Sequence, residues 1–218
     1  MMLIRGPGVY RPQADTRLLA RAVAGAGIPA SSHVLDVCTG TGALAIAAAR
    51  LPVKAVTAVD ISRTALASAW LNCRVRGIRP ELVHGDFRSV LHGRTFDVIV
   101  SNPPYVPCPE DEKSTGAARC WNGGVDGRAP IDALCARVPD LLSVSGTFLM
   151  VHSTLCGVDE TLDRLRTSGL KAATVARETI PFGPVMRDRA SWLAARGLIR
   201  PRQTYEELVV IRADRPRK

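Results

Sequence analysis

Residues His33 to Gly42 have the sequence HVLDVCTGTG, and this segment is the strongest indication of the fold class. Its first residues are apolar and largely β-branched, which is typical of a strand, and Gly40 and Gly42 then form a turn. An alanine-rich run follows over residues 43–51 and stops at Pro52, so this run predicts a helix. The sequence therefore predicts a strand, a glycine turn and a helix, which is the unit from which parallel α/β sheets are built.

The same unit repeats along the chain. Further strands are predicted over residues 54–59, 81–84, 96–101, 146–151, 171–179 and 205–213, with helical patterns between most of them. Seven strands interleaved with helices predict a doubly wound α/β fold, with a mostly parallel seven-stranded sheet and an antiparallel last strand. In such a fold the ligand lies above the carboxyl ends of the strands, where the strand order reverses.

Composition agrees with one globular domain over residues 1–218. The 218 residues are 46% hydrophobic and 22% charged, which argues against disorder, collagen and coiled coils. Within that domain we expect an N-terminal segment with a helix over residues 1–30 and a helical insertion over residues 180–204. The apolar stretches are too short for a membrane span, and an export signal is not recognisable, so we expect a cytoplasmic protein. Six cysteines without a C-x-x-C pair predict no metal site.

The glycine turn and the next strand predict a site for a polar cofactor. Glycine at positions 40 and 42 lets backbone N–H groups approach a ligand at the start of a helix. Asp60 ends the second predicted strand, where a carboxylate can accept hydrogen bonds from both ribose hydroxyls. Because Ala45 can serve as the third small residue of the dinucleotide-binding motif G-x-G-x-x-G, the turn by itself does not exclude NAD as the cofactor.

Asn102, Pro103, Pro104 and Tyr105 follow directly after a predicted buried strand. An amide or exocyclic NH2 is a weak nucleophile because its lone pair is delocalised. The Asn102 side-chain oxygen and the Pro103 carbonyl can accept the two hydrogens of such an NH2 group, and these hydrogen bonds would increase the electron density on its nitrogen. The Tyr105 ring can stack on a planar acceptor. This motif resembles the acceptor motif of class I S-adenosylmethionine-dependent methyltransferases that methylate amino groups.

The resemblance narrows to the HemK-type protein glutamine methyltransferases, which modify the Gly-Gly-Gln loop of peptide-chain release factors. Val9 to Thr16 (VYRPQADT) is similar to that family's N-terminal segment, which folds over the cofactor, and Gly123 to Arg128 (GGVDGR) is similar to its G-G-x-(D/N)-G stretch. The resemblance implies S-adenosyl-L-methionine as cofactor and Asn102, Pro103, Pro104 and Tyr105 as the catalytic clamp. It implies cofactor contacts from Tyr10, Pro12, Asp15, Thr16, Asp36, Thr39, Gly40, Gly42, Asp60, Ile61, Asp86, Phe87 and Asn102.

The sequence departs from the family pattern in three places. Cys38 occupies the position of the first glycine of G-x-G-x-G. The helical recognition domain of the bacterial enzymes does not precede Tyr10, so the chain resembles the shorter archaeal and eukaryotic branch, whose members work with a small activator protein. The insertion over residues 180–204 has no counterpart, and we hypothesise that it replaces the recognition domain, with Arg187, Arg189 and Arg196 binding substrate.

Charge leaves alternatives to a release-factor substrate open. The net charge is +9, and positive charge is concentrated towards the C-terminus, which is compatible with an RNA or DNA partner as well as an acidic protein surface. The second interpretation is therefore methylation of an exocyclic amino group of adenine or guanine. A third interpretation is a non-catalytic, cofactor-binding module that associates with RNA. A fourth is a nicotinamide oxidoreductase, which is disfavoured because the sequence places no recognisable hydride-transfer residue near the glycine turn.

Overall fold

The computed structural model describes residues 2–110, 112 and 116–217. They form one seven-stranded sheet with the strand order β3-β2-β1-β4-β5-β7-β6. The strands are β1 His33–Val37, β2 Ala55–Asp60, β3 Glu81–His84, β4 Phe96–Ser101, β5 Leu142–Ser153, β6 Lys171–Pro181 and β7 Tyr205–Asp214. Strands β1 to β5 pair in parallel, and β7 runs antiparallel to both of its neighbours, β5 and β6. The predicted doubly wound sheet with an antiparallel last strand is confirmed.

Helices connect the strands and cover both faces of the sheet. They are α1 Ala14–Gly25, α2 Ala43–Ala49, α3 Arg63–Arg74, α4 Phe87–Val90, α5 Ala129–Leu141, α6 Val158–Thr167, α7 Pro184–Asp188 and α8 Ala190–Ala195. Ser62 caps α3 by accepting a hydrogen bond from Ala65 N at 3.3 Å, as expected for a serine at this position. In the described part of the chain, no helix combines the length and apolar character that a membrane crossing requires.

The core follows from the alternation between strand and helix. β1 and β4 are buried along almost their whole length because helices cover both of their faces. A second, smaller hydrophobic cluster of Phe182, Met186, Leu193 and Ile199 lies in the segment between β6 and β7. This segment contains α7 and α8, two short helices where the sequence predicts one helix around residues 187–195.

The sheet order places the site. β1 lies between β2 and β4, so the connections from β1 and from β4 leave in opposite directions and open a crevice above the carboxyl ends of these strands. The glycine turn follows β1, Asp60 ends β2, and Asn102 follows β4. The topology therefore brings the three sequence motifs to one edge of the sheet.

Candidate active site

A cavity of about 850 Å³ opens above the carboxyl ends of β1, β2 and β4. Its volume lies within the range of small-molecule sites. Most of the predicted site residues line it: Tyr10, Pro12, Asp15, Thr16, Thr39, Gly40, Asp60, Ile61, Asp86, Phe87, Asn102, Pro103, Pro104 and Tyr105. Asp36, Gly42, Arg187, Arg189 and Arg196 lie outside its lining.

Asp36 braces the glycine turn from below. Its Oδ2 accepts hydrogen bonds from Thr39 Oγ1 at 2.6 Å and from Ala45 N at 2.9 Å, and the side chain is fully buried. Burial raises the pKa of this carboxyl to about 7. The resemblance implies contact between Asp36 and the cofactor; in the structure Asp36 lies beneath the turn, outside the cavity lining, and this contact stays a prediction.

Cys38 keeps the backbone conformation that the usual glycine would supply. Its φ is 61°, in the left-handed region that non-glycine residues seldom adopt. Burial, with the nearby Asp60 and Asp36 charges, raises the pKa of the thiol, so it stays neutral at physiological pH. The turn therefore retains its shape although its first glycine is replaced. Gly42 also has a positive φ of 78°, and a Cβ there would lie 3.0 Å from the Ala69 side chain, so this glycine serves packing against α3.

Two carboxylates stand along the wall of the cavity beyond the turn. Asp60 Oδ2 accepts the N–H of Gly40 at 2.9 Å, and Oδ1 accepts the N–H of Ser62 at 2.9 Å. Burial raises the pKa of Asp60, although these two N–H groups oppose the shift. Asp86 is held by Arg88, whose hydrogen bonds lower the pKa of that carboxyl. Asp86 is thus fixed by its own loop, whereas Asp60 is fixed both by its own loop and by the glycine turn after β1.

Asp15 forms several hydrogen bonds at the end of the cavity where Asn102 to Tyr105 lie, which we call the acceptor side. Its Oδ2 accepts hydrogen bonds from Tyr10 OH at 2.8 Å, from Asn102 Nδ2 at 3.0 Å and from Tyr105 OH at 3.2 Å. Asn102 Nδ2 also donates to Thr16 Oγ1 at 3.2 Å. Because a carboxylate only accepts hydrogen bonds, these contacts fix which end of the Asn102 amide is NH2, and the carbonyl oxygen is left on the opposite side of the amide carbon.

The two tyrosines of this network stay protonated. Burial, reinforced by the Asp15 charge, raises the pKa of both Tyr10 and Tyr105. Their hydroxyls therefore remain hydrogen-bond donors to Asp15 over the physiological pH range. The network links the N-terminal segment, α1 and the loop after β4 through a single carboxylate.

Gly123 and Gly127 explain the second motif in physical terms. A Cβ on Gly127, whose φ is 77°, would lie 2.3 Å from the carbonyl oxygen of Tyr105, and a Cβ on Gly123 would lie 2.8 Å from Tyr105 Cα. The acceptor loop, defined here as residues 102–108, therefore passes directly against these glycines. Arg128 next to them is buried and donates to the carbonyl of Gly157 at 2.9 Å, which ties this stretch to the start of α6.

The N-terminal segment lies over α3 and reaches the cavity. The buried Asn72 side chain accepts the N–H of Ile4 at 2.7 Å, donates to the Ile4 carbonyl at 2.7 Å and donates to the Thr41 carbonyl at 3.0 Å. Gly6 N donates to Ser68 Oγ at 3.0 Å. Pro7, Gly8 and Val9 then line the cavity. The sequence did not single out Asn72, since a helical asparagine carries no local signal of a distant backbone partner.

The segment over residues 116–122 also lines the cavity, and the sequence identified it only as part of a long functional loop. Of the arginines predicted to bind substrate, Arg187 and Arg196 are exposed, with Arg196 stacked over the Trp192 ring at 5.9 Å. The Arg189 side chain is only 10% exposed and contacts the acceptor loop.

Comparisons with known proteins agree with this geometry. The Mtq2–Trm112 complex of E. cuniculi, responsible for the methylation of the eRF1 translation termination factor, contains a chain that matches with a TM-score of 0.67 at 24% identity, over 96% of this chain and 99% of that one. A putative methyltransferase complexed with SAH, SMU.776, matches with a TM-score of 0.59 at 17% identity, over 94% of this chain and 50% of that one. The fold is that of class I methyltransferases.

Sequence comparisons identify the family. The profile of the "Methyltransferase small domain" family matches residues 2–118. A protein of Methanocaldococcus jannaschii described as a putative protein N5-glutamine methyltransferase is 33% identical over 83% of this chain and 90% of its own length. Human methyltransferase HEMK2 is 33% identical over 76% of this chain and 81% of its own length. The chain belongs to the methyltransferase small domain family and, within it, to the short HemK-type proteins. It is an S-adenosyl-L-methionine-dependent methyltransferase.

The bacterial relatives are longer. The release factor glutamine methyltransferase of Neisseria gonorrhoeae is 35% identical over 67% of this chain but only 56% of its own length. The chain thus spans about half the length of the bacterial release factor enzymes that it matches.

Proposed function

We propose that this methyltransferase acts on the side-chain amide nitrogen of a glutamine in a peptide-chain release factor. One observation carries the proposal: the Asn102 amide is oriented by Asp15 and Thr16, so that its oxygen is the group that can accept hydrogens from a substrate. Relatives described as protein glutamine methyltransferases support this class of acceptor.

The chain's own residues fit the cofactor at the other end of the cavity. Gly40 carries no side chain and so lets a ligand approach the backbone of the turn, Asp60 offers a carboxylate for hydroxyls, and Ile61 and Phe87 offer apolar surface for a ring. This donor set suits a molecule with a charged amino-acid end, a ribose and an adenine. When bound, S-adenosyl-L-methionine supplies an electrophilic methyl carbon on a sulfonium. Tyr10, Pro12, Asp15 and Thr16 close the cavity from the N-terminal side.

The acceptor loop would orient the nucleophile. The Asn102 oxygen and the Pro103 carbonyl accept the two amide hydrogens of the glutamine, which directs the nitrogen lone pair away from its conjugated carbonyl. Pro103 and Pro104 restrict the backbone, and Tyr105 is held by its bond to Asp15. Since these acceptors are fixed before the substrate arrives, they lower the barrier by preorganisation.

The segment between β6 and β7 would bind the body of the protein substrate. Arg187, Arg196, Arg200 and Arg202 are exposed on this segment, whose hydrophobic cluster packs against Val106 of the acceptor loop. Four like charges on one small segment attract an acidic surface over about a Debye length. We therefore assign Arg187 and Arg196 to substrate docking outside the cavity.

A small activator protein is a further proposed partner. β3 is an edge strand, and such an edge can pair with a strand of another chain. The complex of Mtq2 with Trm112 supports this proposal for a chain of the same fold. Methyl transfer measured with and without co-expressed candidate activators, together with analytical ultracentrifugation, would test it.

Transfer of a radiolabelled methyl group from the cofactor is the test of the acceptor. We expect label in a release factor with an intact Gly-Gly-Gln loop and none in the same factor carrying alanine in place of that glutamine. Ribosomal RNA and DNA serve as competing acceptors in the same assay. Label in a nucleic acid, with an unlabelled release factor, would contradict the proposal and favour base methylation.

A further inference from the structure

The segment between β6 and β7 packs against the acceptor loop. Phe182, Met186, Leu193 and Ile199 form a hydrophobic cluster, and Val106 of the acceptor loop and Leu155 pack on it. The loop that carries Asn102 is therefore in contact with a helical pair that lies about 80 residues further along the chain.

Arg189, between α7 and α8, fastens this contact. Its Nη1 donates to the Pro107 carbonyl at 2.9 Å, and its Nη2 donates to Asn122 Oδ1 at 2.6 Å and to Glu112 Oε1. Asn122 Nδ2 donates to the same Glu112 oxygen at 3.2 Å. The planar guanidinium thus holds three partners in fixed directions, which a lysine ammonium cannot reproduce.

Two of the three partners of Arg189, Pro107 and Asn122, belong to two paired segments. Val106 N donates to the Trp121 carbonyl at 2.8 Å, Gly123 N donates to the Val106 carbonyl at 2.9 Å, and Cys108 N donates to the Gly124 carbonyl at 2.9 Å. These bonds align the acceptor loop with residues 121–124, and Arg189 bridges both segments through Pro107 and Asn122. Asn122 and Val106 also line the cavity.

We propose that Arg189 is a positioning residue, which holds the acceptor loop at the distance from the cofactor that methyl transfer requires and does not itself bind substrate. The proposal rests on the proposed function, since it concerns the loop that presents Asn102. A shift of the loop by about 1 Å would misplace both hydrogen acceptors, and misplacement of that size can cost about 100-fold in rate.

The experiment compares steady-state methylation of two acceptors, the intact release factor and a short Gly-Gly-Gln peptide. For Arg189→Ala we expect kcat to fall about 10- to 100-fold with both acceptors, KM to change less than about threefold, and cofactor Kd to stay within about twofold of wild type. Arg189→Lys should recover part of the kcat. Arg137→Ala is the matched control, because that mostly buried arginine pairs with Asp140 away from the cavity and should leave kcat unchanged.

A substrate-binding role would give a different result. If Arg189→Ala raises KM for the release factor, spares the peptide and leaves kcat unchanged, the positioning role is wrong. Should Arg189→Ala fail to fold, Glu112→Ala removes one hydrogen-bond partner of Arg189 at a partly exposed site, and it should lower kcat about threefold; an unchanged kcat would overturn the proposal. Whether the wild-type protein methylates the Gly-Gly-Gln peptide tests the proposed function. The ratio of variant kcat to wild-type kcat tests the role of Arg189, so the two proposals can fail separately.

Discussion

The cofactor side and the acceptor side of the cavity are built in different ways. On the cofactor side, Asp60 is bound by Gly40 and Ser62, which lie 20 and 2 residues away, and Asp86 is bound by Arg88. On the acceptor side, Asn102 is bound by Asp15 across 87 residues, and Arg189 binds Pro107 across 82 residues. Contacts within 20 residues thus fix the two carboxylates on one side, whereas contacts across more than 80 residues fix the loop on the other.

Because the two halves are held by different contacts, substitutions should impair them separately. Substitutions on the cofactor side should change cofactor affinity, because backbone turns hold the ligand groups there. Substitutions on the acceptor side should change the rate of transfer, because side chains orient the loop.

The largest effect is expected for Asn102→Ala. Loss of the side-chain oxygen removes one of the two acceptors that orient the nucleophile, so kcat should fall about 10²- to 10³-fold, the range found when one preorganised group of this kind is removed. Cofactor Kd, measured by calorimetry on the same variant, should stay within about threefold of wild type. An equal loss in both measurements would abolish the distinction between the two halves.

Gly127→Ala should destabilise the protein because the new side chain would collide with the backbone of the acceptor loop. The added Cβ would meet the Tyr105 carbonyl, and the positive φ adds strain, so the free energy of unfolding should fall by about 3 kcal/mol. Gly77→Ala is the matched control, because its φ of 72° is similar but a Cβ there meets nothing within 4 Å. Urea denaturation should show a loss of only about 1 kcal/mol for this control. Equal losses would mean that contact with Tyr105 is unimportant.

Asp60→Ala should affect the cofactor side alone. Removal of a carboxylate that accepts hydrogen bonds from hydroxyls costs about 1.5–3 kcal/mol, which corresponds to a rise in cofactor Kd of about 10- to 100-fold. At saturating cofactor, kcat should remain near the wild-type value. Unchanged affinity in a titration would remove Asp60 from the cofactor site.

Asp36→Asn should change the pH dependence of the free energy of unfolding. The folded-state pKa is raised to about 7 by burial, so between about pH 4 and pH 7 the folded protein binds more protons than the unfolded chain. The Asp36 contribution to the free energy of unfolding therefore falls as pH rises through this window, by at most about 1.4 kcal/mol per pH unit. The variant should lose this slope in urea denaturation at several pH values, and parallel profiles for the two proteins would contradict the assignment.

The sequence predicted most of the cofactor side. The glycine turn, Asp60 and the seven strands all follow from local spacing, and the structure confirms the sheet. Contact between Asp36 and the cofactor is implied by the family resemblance and stays a prediction. Its burial beneath the turn depends on packing across the sheet, which local spacing does not reveal.

The acceptor side was predictable in its motifs but not in its connections. The Asn-Pro-Pro-Tyr motif after a predicted buried strand identifies Asn102 and Tyr105, and the resemblance to the HemK-type family identifies Gly123 and Gly127. Which side chains hold them depends on contacts across the fold, so Asp15, Asn122 and Arg189 could not be assigned these roles from spacing. The short helices α7 and α8 were predicted as a single helix for the same reason, since their boundary depends on a distant loop.

The Asp15 carboxylate has a consequence for redesign. It accepts hydrogen bonds from Tyr10, Asn102 and Tyr105 at once, so a change at Asp15 itself would loosen the N-terminal wall of the cavity together with the loop that follows β4. An engineer who wants this scaffold to accept a bulkier recipient should therefore leave that junction intact. The wall formed by Ala117, Cys120 and Trp121 lines the same chamber without a bond to Asp15, and it is the place to diversify first.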